Sequence, residues 1–153
     1  MARGLVPQRQ SIDQGVDLTV LKFDKKASYL SYQVKGCTNL ERMRGGYGLA
    51  YMVPVHSVKN LEGLDLNYLL MTEKTRDTDK SDRKFLTIPG RAMKKILKIC
   101  GRLRQKKSNV WKTEYYKMDI WMDKEMEEFW VLDTKGKKQI DISKWIEAWD
   151  AVV

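Results

Sequence analysis

Histidine, cysteine and proline are scarce in this 153-residue chain, with one, two and three copies, and each shortage closes a route. His56 has no second ligand at zinc-binding spacing near Cys37 or Cys100, so no metal site is expected. The same histidine is the only partner for a Ser–His or Cys–His pair, and its strand-like setting between Val55 and Ser57 reads as structural. Two cysteines 63 positions apart make no disulfide framework, which suits a reducing compartment. No stretch approaches the roughly 18–20 apolar residues of a membrane-spanning helix. The start of the chain, Met1 to Pro7, lacks the apolar run of a secretory signal. The expectation is a soluble, intracellular protein, cytoplasmic or nuclear, neither secreted nor membrane-spanning.

Acidic residues are missing from one place in particular. Residues 83–112 hold 11 lysines and arginines and no aspartate or glutamate. The rest of the chain holds 18 basic and 20 acidic side chains, a net of −2. The overall +9 is therefore one cationic segment on a slightly acidic body. Charge concentrated in this way suits a polyanionic partner: nucleic acid, an anionic membrane surface or an acidic protein.

What is present supports a folded domain, with 42% apolar residues and no low-complexity tract. Residues 1–15 are polar and aperiodic and read as a flexible arm. Residues 16–153 read as a single compact domain. Strand patterns run over 16–23, 29–34, 47–58, 64–72, 85–88, 111–122, 129–132 and 139–142, with residues 36–46 as a loop. Residues 73–84 contain no apolar side chain and are expected as a mobile loop. Met93, Ile96, Leu97, Cys100 and Leu103 recur at spacings of three and four, which predicts an amphipathic basic helix near 90–104. Gly101 marks where it frays. Ser143 is a fitting N-cap for a second helix near 143–152. About six to eight strands with two helices and no β–α–β alternation predict an α+β domain built on a mainly antiparallel sheet.

Three constellations are candidates for function. The first is the basic helix with its flanks. Arg91, Lys94, Lys95, Lys98, Arg102, Arg104, Lys106 and Lys107 are placed to neutralise phosphates, while Trp111, Tyr115 and Trp121 share one face of the strand over 111–122. Aromatic rings beside cations let bases stack while phosphates are paired. Arg3, Arg9, Arg42 and Arg44 are possible auxiliaries. The opposing interpretation is that the rings are plain core. The second is Gly45-Gly46-Tyr47-Gly48, which matches neither the P-loop nor the dinucleotide fingerprint, so no cofactor is expected and a turn is the simpler reading. The third is Asp133-Thr134-Lys135-Gly136 with Asp119 and Asp123 upstream: an acid plus an acid-x-lysine pair resembles the metal-binding set of Mg²⁺-dependent nucleases, but a hairpin turn is the simpler reading.

No motif names a family. Small, basic, tryptophan-rich domains are frequent among viral and phage accessory proteins, a likeness of style only. The reading that follows is a non-enzymatic nucleic-acid-binding protein, DNA or RNA, dominated by backbone contacts and low in sequence specificity. The alternative is a self-associating, matrix-like or adaptor protein that meets an anionic membrane or an acidic partner, with a nuclease third.

Overall fold

In the computed structural model, the described residues are 5–8, 18–22, 28–37, 39–55, 58, 66–73, 83–107 and 112–148. Every strand expected from apolar alternation is present among them: β2 (Leu18–Lys22), β3 (Ser28–Lys35), β5 (Gly46–Pro54), β6 (Leu66–Glu73), β7 (Arg83–Pro89), β9 (Lys112–Asp123), β10 (Phe129–Leu132) and β11 (Lys138–Asp141), although β5 stops at Pro54 and not at residue 58, Val55 and Val58 being helical. Three further strands complete the described set: β1 (Leu5–Gln8), β4 (Asn39–Met43) and β8 (Arg102–Lys107). The helix α1 spans Gly90–Cys100. The fold is α+β and mostly antiparallel.

The strands form two sheets. The first has the order β1-β2-β3-β6-β7, and β3 against β6 is its one parallel pair among the described residues. The second has the order β11-β10-β9-β5-β4. Its long central strand β9 pairs along one side with β5. Its other side is shared, β8 taking Lys112–Lys117 and β10 taking Ile120–Met122.

Side-chain alternation decides what lies inside. From the second sheet, Leu49, Tyr51 and Val53 of β5 and Met118, Ile120 and Met122 of β9 point into one apolar cluster. From the first sheet come Leu66, Tyr68 and Leu70 of β6 with Leu86 and Ile88 of β7. The Tyr51 hydroxyl donates to the Met71 carbonyl at 2.8 Å, which ties β5 of one sheet to β6 of the other. An isolated helix of 11 residues is marginal in water. α1 is held by Met93, Ile96, Leu97 and Cys100, all buried in the same cluster, the first three worth about 1.5–3 kcal/mol each. Burial also pushes the Cys100 thiol pKa up, with the nearby Asp133 charge adding to it.

Several expectations are corrected. The helix ends at Cys100, not near residue 104: the Gly101 amide makes its last i to i−4 bond, to the Leu97 carbonyl, and there the backbone turns extended. A Cβ at Gly101 would strike that carbonyl, so only glycine permits so sharp an exit. Leu103 consequently leaves the helical stripe and lies on β8, exposed. Residues 36–46 are not all loop: β4 pairs with β5 through a tight turn at Arg44-Gly45, where Gly45 takes φ +78°.

The C-terminal helix near 143–152 is replaced by one 3-10 turn, Ser143–Trp145. Glu147 follows at φ +46°. The chain there pairs with the edge of β7 instead, Ile146 bridging Leu86 and the Glu147 amide donating to the Phe85 carbonyl at 2.7 Å. The Ser143 hydroxyl does not cap a helix. It accepts from the Phe129 amide at 2.9 Å. Residues 74–82, His56, Trp149 and most of the expected N-terminal arm lie outside the described residues; Leu5–Gln8 of that arm forms β1 against β2.

Candidate functional site

The cationic segment begins on α1. With Met93, Ile96, Leu97 and Cys100 facing the core, the helical period turns Arg91, Lys94, Lys95 and Lys98 outward, and all four are exposed. Arg91 lies three and four positions from Lys94 and Lys95, and Lys98 lies four and three beyond them. Like charges at these spacings cost about 0.2–0.5 kcal/mol per pair. The first turn carries no acidic side chain, and Pro89 at the N-cap offers no side-chain acceptor. Arg91 therefore sits at the positive end of the helix dipole with no acid in its own turn. The helix tolerates this repulsion because its packed face holds it.

β8 carries the charge onward. It pairs only with β9 among the described residues and is an edge strand there. Directly paired residues point to the same face of a sheet. Arg102 therefore shares a face with Lys117, and Arg104 with Tyr115, while Leu103 goes with Tyr116 to the side of the sheet that bears the core and α1. The helix cations and the side chains of Arg102 and Arg104 thus stand on different sides of the β8 edge. Arg104 is exposed and Tyr115 half-buried, with Pro54 as the other strand neighbour of Tyr115. One guanidinium nitrogen of Arg102 is committed to the turn after β10, donating to the Thr134 carbonyl at 2.7 Å. Lys106 and Lys107 lie on β8 opposite Thr113 and Lys112. Trp111 lies outside the described residues.

The expected row of rings on β9 divides. Trp121 is on the same face as Tyr115 but is buried, 9% exposed. Its indole N–H donates to the Arg44 carbonyl at 3.3 Å, and the Lys138 ammonium sits 3.6 Å from its ring centroid. Lys138 also lies 5.8 Å from the Trp130 ring and pairs with Glu128 at 3.7 Å. That end of the sheet is closed by its own residues. The other end brings together Arg104 and Tyr115, and Arg102 and Lys117.

The carboxylates build turns. One Asp133 oxygen accepts the amides of Lys135 and Lys137 at 2.8 and 2.9 Å. The Lys137 and Lys135 amides, helped by both ammonium charges, hold its carboxyl below the usual range. With Gly136 at φ +78°, Asp133–Gly136 is the turn joining β10 to β11. Asp119 pairs with Lys117 at 3.7 Å. Among the described residues no three His, Cys, Asp or Glu side chains gather in a metal-binding group. A cavity of about 190 Å³ is lined by Gly48, Ala50, Lys117 and Asp119 among others. Small-molecule sites usually have about 300 Å³ or more. Among the described residues no helix is long and apolar enough to cross a membrane.

Two exposed apolar side chains in this region escaped the sequence reading. Ile99, 60% exposed, and Leu103, 56% exposed, alternate with the cations along the chain. The signal for Leu103 was present: a glycine after an apolar stripe, with lysine in the last turn, is a helix stop. No family model, curated protein or solved structure matches the chain.

Proposed function

We propose that the chain is a small, non-enzymatic nucleic-acid-binding protein that grips the phosphate backbone through α1 and β8 with little preference for sequence. The observation that carries this reading is the exposed set Arg91, Lys95 and Lys98 on one helix, in a segment of 30 residues without an acid. A solvated surface normally mixes signs, because like charges three and four apart repel. A polyanion relieves that repulsion and releases its own counterions on binding.

Titration of labelled single- and double-stranded oligonucleotides at two salt concentrations tests the reading. Affinity should fall steeply with salt. Replacing Arg91, Lys95 and Lys98 together by alanine should flatten the log–log salt slope by about 2–3, because each neutralised phosphate contributes about 0.7–0.9 to it. These positions are exposed and alanine favours helix, so the variant retains the fold. Absence of binding at low salt, or a triple variant with unchanged affinity and slope, rejects the proposal. Co-sedimentation with anionic liposomes that is tighter than oligonucleotide binding would transfer this face to the membrane-contacting alternative.

A further inference from the structure

Cations alone accept any polyanion, so the apolar groups between them carry the discrimination. Three large apolar side chains are exposed among the described residues: Val34, Ile99 and Leu103. Two of the three fall inside the acid-free segment, more than half exposed, spaced with Lys95, Lys98, Arg102 and Arg104. Apolar surface left in water forgoes about 25 cal/mol per Å². A face that met only phosphates would gain nothing from displaying it. On the other side of the β8 edge, the register pairs Arg104 directly with Tyr115 on one face of the sheet, with Pro54 next in the row. Arg102 and Lys117 form the adjacent row.

We infer that this face takes single-stranded nucleic acid, its backbone crossing the β8 edge from the α1 cations to Arg104 while bases cover Ile99 and Leu103 and stack on Tyr115. The inference rests on the nucleic-acid reading above and names its substrate class. Alternation of cations with aromatic and apolar groups is what a single strand requires, since its base faces are open to stack. A duplex keeps those faces stacked on one another, and its stiffness extends over about 150 base pairs. It would meet α1 or the Arg104 side of the edge, not both.

The test uses the full chain with matched single strands of DNA and RNA and the corresponding duplexes. Wild type should bind single strands at least about tenfold more tightly than duplex, given about 1–3 kcal/mol for each stacked base. Tyr115→Leu should lose about tenfold on single strands and leave duplex binding unchanged, and Tyr115→Phe should restore the loss. Ile99→Ser with Leu103→Ser, at exposed positions, should show the same selective loss. Duplex bound as tightly as single strand, or variants that weaken both probes equally, overturns the inference while leaving the nucleic-acid reading in place. Failure of every probe to bind overturns both.

Discussion

The stretch from β9 to β11 and the stretch from α1 to β8 use charge in opposite ways. In the first, charges finish the fold. Asp123 accepts the amides of Glu127 and Glu128, each at 2.8 Å, and closes the turn after β9. Asp133 does the same for the turn after β10, and Asp141 accepts the Ser143 amide at 2.9 Å. Lys138 closes over Trp121. In the second, cations of one sign are arrayed on a helix with no side-chain cap and no acid in its first turn, and exposed apolar side chains alternate with them along the chain. Charges that complete backbone geometry identify structural turns. Charges of one sign set three and four apart on a helix are the ones the proposed phosphate contact would use.

The contrast can be broken most forcefully through the apolar residues. Phe129 is fully buried and joins β10 to the common cluster, so Phe129→Ala should cost about 3–5 kcal/mol. Ile99→Ala, at an exposed site, should change stability by no more than about 0.5 kcal/mol. Urea denaturation of both variants measures the difference. Similar losses in the two would mean that the 90–107 surface is part of the core.

The next effect concerns the turns. Desolvation pulls the Asp123 carboxyl upward, but the Glu128 and Glu127 amides outweigh it and hold its pKa below the ordinary value of 3.8. The Ser143 hydroxyl and amide do the same for Asp141. A depressed folded-state pKa means that the stabilisation is present above the unfolded value and is lost as pH falls through the lower, folded one. Asp123→Ala should cost about 1–2 kcal/mol at neutral pH, for two charge-assisted bonds at a partly exposed site. Its stability should also be less sensitive to pH below about 4 than that of wild type. Parallel curves for the two proteins across that range would show that the turn amides do not depend on the carboxylate.

Legibility in the sequence followed the same division. Strands that alternate apolar and polar residues because one face is buried were readable: Met118, Ile120 and Met122 announce β9, and Leu66, Tyr68 and Leu70 announce β6. The strands that escaped are β1, β4 and β8, and each is an edge strand. An edge is fixed by pairing to a neighbour and carries polar residues that blunt it, so Asn39–Met43 and Arg102–Lys107 show no inward alternation. The expected C-terminal helix lost to a tertiary partner, the open edge of β7, which a local pattern cannot reveal. Of the candidate site, the helix face was visible from period alone. The separation of Trp121 from Tyr115 was not, because both sit on one face of β9 and only Lys138 and the Arg44 carbonyl distinguish them.

The smallest effect is the most diagnostic, because it separates stability from binding by sign. Lys95→Glu removes two repulsive pairs, with Arg91 and Lys98, and replaces them with attractive ones at the same spacings. The net should be about 0.5–1 kcal/mol of added stability, the arginine-before-glutamate order being the weaker orientation. The same change puts an anion in the middle of the proposed phosphate track. Oligonucleotide affinity should therefore fall while the urea midpoint rises. A midpoint that falls would mean that Lys95 is held by a structural contact, and α1 would then belong with the turns of β9 to β11. A midpoint that rises with affinity unchanged would leave the helix repulsion without a ligand to explain it.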